Sequence, residues 1–204
     1  MLVTCLGNLR GVVQMLYAFN GCTALRTITV DSDWALPASG VSGSMTFYNY
    51  KQLAGRQGNS VRKIVVYYTG TEASAHNNLL YFSRESAKAS AHCFIDRDGT
   101  LRQSVAEGDT AWHAGHWATN LCSVGIEVVS GGSDFTEAQI CTLAELVADL
   151  RGRYGVSAEN VIRHYDVTGK LCPAPYVDAS KWAGCILGSA GARFPRTLAS
   201  WRSA

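Results

Sequence analysis

Residues 63–70 read KIVVYYTG. Three β-branched residues and two tyrosines in succession, closed by Thr-Gly, suit a strand buried inside a sheet and ending in a turn. Downstream of it the pattern alternates. EASAHNNLLYFSRES (72–86) has helical periodicity, with Ala75, Leu79, Leu80 and Phe82 on the apolar side. AHCFIDRDGTLRQSV (91–105) predicts a hairpin about Asp98-Gly99, and SVGIEVV (123–129) a second short apolar strand. TEAQICTLAELVADLRGRYG (136–155) is the clearest helix: Thr136 is placed to cap it, with Gln139 three residues on, and Gly155 stops it. VIRHYDV (161–167) returns as a strand end. The sum predicts an α/β domain with a mixed central β-sheet flanked by helices.

The chain has 204 residues, 47% hydrophobic and 17% charged, with a formal net charge of +2. That is a globular composition with room for a sizeable core. The small net charge and the absence of a basic run argue against a nucleic-acid partner. No stretch approaches the ~20 apolar residues of a membrane span. The start has no charged n-region or cleavage site, so no signal peptide is expected. Seven cysteines, an odd number at irregular spacing, are expected to be reduced thiols.

The character of the chain changes at LAGRQGNSVRK (53–63), which reads as a linker. Before it, FNGCTAL (19–25) and FYNYKQL (47–53) share a Phe…Leu spacing, and a short strand, LRTITV (25–30), lies between them. One strand and one turn region per unit is how a solenoid reads. This segment resembles the BspA-like leucine-rich repeats, although only about two units are present against the ~3 of a stable stack. It is expected to be a terminal remnant packed on the next domain or a binding segment. Tyr50 stands where the first unit has Cys22. The expected organisation is a repeat remnant and linker over 1–58, the α/β domain over 59–182, and a poorly structured tail over 183–204.

The chemistry concentrates in RHYDVTGKLCPAPYVD (163–178). His164 at a strand end and Cys172 in a Cys-Pro loop are within reach of one metal ion, and imidazole and thiolate both suit zinc. Lys170 offers a cation that would stabilise an oxyanion. Spacing alone also fits an ordinary loop histidine and a buried cysteine. Glu127 lies in an otherwise apolar strand, where a carboxylate gains a raised pKa and can serve as a general base. A strand-edge carboxylate facing solvent is the other reading. His76 and His116 read as surface histidines.

Taken in order, ASAHCFIDRDGTLRQSV, AWHAG, SVGIEV and RHYDVTGKLCP resemble the zinc-dependent N-acetylmuramoyl-L-alanine amidases of phage endolysins, relatives of the peptidoglycan recognition proteins. The resemblance covers residues 62–178. It implies a mixed sheet under a substrate groove, and zinc held by a first-strand histidine, His164 and Cys172. Zinc-bound water would attack the amide between N-acetylmuramic acid and L-alanine, with Glu127 as general base and Lys170 as the oxyanion cation. His92 falls in a family motif and is expected to be structural. His113, in AWHAG, is either structural or borders the groove, where Tyr68 also lies. The implied partners are peptidoglycan and muropeptides, bound by a monomer. The implied location is the cytoplasm until release to the cell wall, or the exterior if the start is truncated.

One position departs from the family. Its members read VVHYTG where this chain has VVYYTG, which puts Tyr67 at the first zinc-ligand position. Tyr67 could bind zinc as a phenolate, against an ordinary phenol pKa of about 10. Alternatively, His164 and Cys172 hold zinc weakly, with water or His113 as substitute. In the third reading zinc is lost and the domain only binds peptidoglycan. The expectation is an amidase with an impaired zinc site, and the alternative is a non-catalytic binding module.

Overall fold

The structure is a computed structural model that describes residues 55–187 together with three two-residue strands before them. Two of these, β1 (Val3–Thr4) and β2 (Ile28–Thr29), pair in parallel, and β2 falls within the strand expected at 25–30. Apart from the three short strands the repeat-like segment, Tyr50 included, lies outside the described residues, as does the tail beyond Leu187.

The domain is built on a five-stranded sheet. Its strands are β4 (Lys63–Tyr68), β5 (Cys93–Ile95), β6 (Leu101–Gln103), β8 (Ser123–Val128) and β9 (Val161–Arg163), in the order β6-β5-β8-β4-β9. All neighbours are parallel except β5 and β6, the expected hairpin. Gly99, at φ +85°, makes the turn possible there, since that conformation is open to glycine and strained for other residues. A separate antiparallel pair joins β3 (Gln52–Leu53) to β7 (Thr110–Ala111).

Strand alternation sorts the side chains onto two faces. Ile64 and Val66 of β4, Val124, Ile126 and Val128 of β8, and Cys93 and Ile95 of β5 form the main core. Helix α3 (Glu137–Tyr154) covers that face with Leu143, Leu146, Val147 and Leu150, an i, i+3, i+4, i+7 stripe. Each such side chain contributes roughly 1.5–3 kcal/mol on full burial. The capping box at Thr136 and Gln139 and the left-handed Gly155 end this helix where the sequence places them. Gln139 is also fully buried and donates to the Val129 carbonyl at 2.8 Å, tying the helix start to the sheet.

The opposite face carries Val65 and Tyr67 of β4, Gly125 and Glu127 of β8, and Phe94 of β5. Helix α1 (Ala75–Phe82) packs at its edge, where Ala75, Leu79 and Phe82 meet Phe94. Leu80, expected on the apolar side, is 48% exposed. With the helix starting after the Ser74 cap, the buried stripe runs 75, 79, 82, and residue 80 is turned away from it. Both ends of the expected domain carry further packing. The linker is engaged with the domain: Arg56 is buried and donates to the carbonyls of Glu107, Leu121 and Ser123. At the other end, α5 (Ala179–Leu187) is helical past 183, and Cys185 joins the main core.

Candidate active site

The second face of the sheet gathers chemistry at the carboxyl ends of its parallel strands. Tyr67 and Glu127 are register partners on neighbouring strands, so their side chains stand side by side. β9 runs directly into α4 (His164–Thr168), which makes His164 the first residue of a helix and not a strand residue as expected. Arg163 fixes that junction. Its guanidinium makes a two-pronged bond to Asp166 at 2.6 and 2.9 Å. It also donates to the carbonyls of Tyr176 and Val177. One side chain therefore ties the turn carrying His164 to the loop carrying Cys172. The Tyr165 N–H donates to the Cys172 carbonyl at 2.8 Å and closes the same link.

Glu127 is half-buried between Tyr67 and Phe94, with its Oε2 out of solvent and without a hydrogen-bond partner. The solvent-facing alternative is thereby set aside. Burial pushes its carboxyl up to about 8 from the ordinary 4.5, and the positive Lys170 nearby offsets part of the rise. Lys170 also acts on His164 and Cys172, so the four groups share one electrostatic neighbourhood. Between pH 4.5 and about 8 the folded chain keeps a proton on Glu127 that the unfolded chain has released. Stability therefore falls as pH rises through that window. Glu127→Gln is expected to leave the melting temperature unchanged at pH 4 and raise it at pH 9 by about 5 °C or more. Thermal melts at both pH values test this, and equal melting at pH 9 would place the carboxylate in solvent.

His164 bonds to the Ala114 backbone. Its Nδ1 is buried and unpaired, which leaves Nε2–H as the donor. A lone pair held out of water in this way costs about 1–3 kcal/mol unless something binds it. Cys172 is buried, its thiol pushed up to about 12 by that burial, with the Tyr68 backbone bonding toward it. Tyr68 itself is half-buried and packs against Cys172's cluster.

Tyr67 is 2% exposed, and its ring packs on His164 at 4.8 Å between centroids. Its hydroxyl lies 2.7 Å from His113 Nδ1. The Nε2 side of His113 faces the Ser123 carbonyl and Oγ, and Ser123 Oγ–H is already donated to Thr119. The proton of His113 is therefore on Nε2, and Tyr67 donates its own to Nδ1. Burial holds His113 neutral, down at about 3, and raises the Tyr67 phenol well above its ordinary value.

His113 owes its place to a glycine. A Cβ on Gly125 would sit 2.6 Å from the imidazole ring, so only a residue without one lets the ring lie on β8. Gly125→Ala is expected to cost about 1–3 kcal/mol in denaturant unfolding and to break the Tyr67–His113 bond. The sequence pattern did not single out Gly125, because the close approach is made by a residue twelve positions away in a loop. His92 is fully buried and accepts from the Gly125 N–H at 2.9 Å. His76 and His116 are exposed.

His164 Nδ1 and Cys172 Sγ suit two positions of a metal site. Tyr67 does not suit a third, because its phenol keeps its proton and spends it on His113. Among the described residues no three His, Cys, Asp or Glu side chains are grouped to hold a metal ion. No described helix is long and apolar enough to cross a membrane.

A family model described as N-acetylmuramoyl-L-alanine amidase matches residues 57–175. The chain is 36% identical over 139 residues to the N-acetylmuramoyl-L-alanine amidase CwlL of Bacillus licheniformis, covering 59% of this chain and 38% of that protein. It is 31% identical over 109 residues to the 1,6-anhydro-N-acetylmuramyl-L-alanine amidase AmpD of Haemophilus influenzae, covering 48% of this chain and 59% of the relative. The chain thus spans less than two thirds of the length of these relatives. Among solved structures, a mutant endolysin from Bacillus subtilis superposes at TM-score 0.60 and 22% identity, covering 74% of this chain and 95% of that one. The catalytic domain of XlyA superposes at 0.56 and 26% identity, covering 64% and 86%.

Proposed function

The chain belongs to the N-acetylmuramoyl-L-alanine amidase family, and on that premise we propose that it acts on the amide between N-acetylmuramic acid and L-alanine in peptidoglycan, with turnover reduced by Tyr67. The observation that carries this reading is the cluster of Glu127, His164, Lys170 and Cys172 at the carboxyl ends of β4, β8 and β9. A zinc ion, when bound, would bring the pKa of a water to about 7 and polarise the scissile carbonyl. His164 Nδ1 and Cys172 would hold it.

Every other part of the reaction falls to the chain's own groups. Glu127, raised toward neutrality, is suited to take a proton from the attacking water and return it to the leaving amine. Lys170 is exposed beside it and supplies positive charge where the carbonyl oxygen becomes an oxyanion. We assign the half-buried Tyr68, next along β4 and packed against the cluster that holds Cys172, to the border of the stem peptide. His113 holds the Tyr67 hydroxyl, which favours a role in positioning over contact with substrate.

The Tyr67–His113 bond also supports a second reading, in which the groove binds muropeptides and does not cleave them. A direct assay separates the two. Purified peptidoglycan is incubated with the chain and zinc, and soluble peptide release and muropeptide binding are measured together. Slow release favours the amidase, and binding without release favours the module. Absence of both contradicts the family reading of this site. We further propose that the domain works as a monomer.

A further inference from the structure

We propose that Tyr67 is a plug: its ring fills the volume a metal ion would take, so it blocks the site as well as failing to ligate. The inference rests on the family reading above. A missing ligand and a blocked site are different defects, and the structure favours the second.

Three observations point to a plug. His164 Nδ1 is buried with no polar partner, so apolar atoms cover it, and Tyr67 carries the ring packed on this imidazole. Tyr67 also belongs to one apolar cluster with Cys172 and Val65, so it packs in the neighbourhood of both remaining donors. A phenol reaches further from the backbone than an imidazole, and here its far end is pinned: the hydroxyl is 2.7 Å from His113 Nδ1, and the His113 ring lies edge-on to Tyr67 at 5.5 Å. His113 is in turn seated on Gly125 and bonded to Ser123. The ring therefore has no room to swing out. A zinc ion needs about 2.0–2.1 Å to nitrogen and 2.3 Å to sulfur, and a ring stacked on His164 and clustered with Cys172 competes for that space.

The two defects predict opposite outcomes for a substitution that removes the ring and adds no donor. If only a ligand is missing, Tyr67→Ala binds metal no better than the parent. If the ring is a plug, Tyr67→Ala opens a ring-sized cavity next to His164 Nδ1 and Cys172 Sγ. The thiol then releases its proton to solvent as it coordinates. Free imidazole entering the same cavity supplies the third donor.

The test uses the full chain with cobalt(II) as probe, read by the thiolate-to-cobalt absorption band. The chains are the parent, Tyr67→Ala, Tyr67→Val (a strand-compatible residue, should alanine fail to fold) and Tyr67→Phe. The expected result is at least a tenfold gain in cobalt affinity for Tyr67→Ala or Tyr67→Val over the parent. A further gain of about tenfold is expected with added imidazole, and none for Tyr67→Phe, which keeps the ring. The proposal is overturned if the small variants bind cobalt no better than the parent. It is also overturned if the parent binds cobalt and Tyr67→Phe loses it, since the phenol is then a ligand. Binding of a soluble N-acetylmuramoyl-L-alanyl peptide to the same chains reports separately on the family reading. Loss of peptide binding with cobalt gain intact would sink that reading and leave the plug standing.

Discussion

Tyr67→His is expected to bind zinc at one equivalent and to release peptide from peptidoglycan at least about a hundredfold faster than the parent. Changes in the outer partners of metal ligands typically alter affinity or activity 10- to 100-fold, and this substitution acts on the ligand position itself. It removes a ring packed on His164 and Cys172 and places a nitrogen donor beside the unpaired His164 Nδ1. It also breaks the bond that holds the Tyr67 hydroxyl to His113. Zinc content by atomic absorption and peptide release, measured on both chains, check the prediction. Equal zinc content and equal rates would mean that Tyr67 is no obstacle.

Glu127→Gln placed in the Tyr67→His chain is expected to lower turnover by about 10²- to 10⁴-fold, the usual scale of a general base. Zinc content and muropeptide affinity are expected to hold, because glutamine keeps the shape of the side chain. The pH dependence has a definite sign. The Glu127 carboxyl stands at about 8 in the chain with no metal bound, and Lys170 is the charge that opposes the rise. A general base must be ionised, so turnover of the Tyr67→His chain is expected to climb as pH rises toward that value. Bound zinc adds positive charge and shifts the climb to lower pH. Glutamine at 127 is expected to abolish it. A pH–rate profile that keeps its rising limb in the variant would assign the limb to another group.

Much of the fold was legible because it rests on local signals. The run at 63–68 was long and apolar enough to read as an inner strand, and Thr136, Gln139 and Gly155 bracket α3 by their own chemistry. The hairpin followed from Asp98-Gly99. Local periodicity failed where register decides. Leu80 lies one helical step off the buried stripe, and the stretch from 184 on was read as having no strong periodicity although α5 runs through its first residues.

The candidate site divides in the same way. His164, Lys170 and Cys172 are close in sequence, so their nearness could be read from spacing. The burial of Glu127 could not, because alternation gives its face and not what covers that face. The contact of Tyr67 with His113, the seat of that histidine on Gly125, and the Arg163 clamp between α4 and the Cys172 loop all join distant segments. Tertiary packing sets them, and a single chain read in order carries no direct signal of it.

We propose that the site at the carboxyl ends of β4, β8 and β9 acts on the muramoyl–L-alanine amide. The most direct measurement is to digest purified peptidoglycan with the Tyr67→His chain in the presence of zinc and identify the new chain ends. New L-alanine amino termini are expected, with no new reducing sugar ends and much slower appearance of the same termini with Tyr67 in place. New reducing ends, or amino termini other than L-alanine, would contradict it.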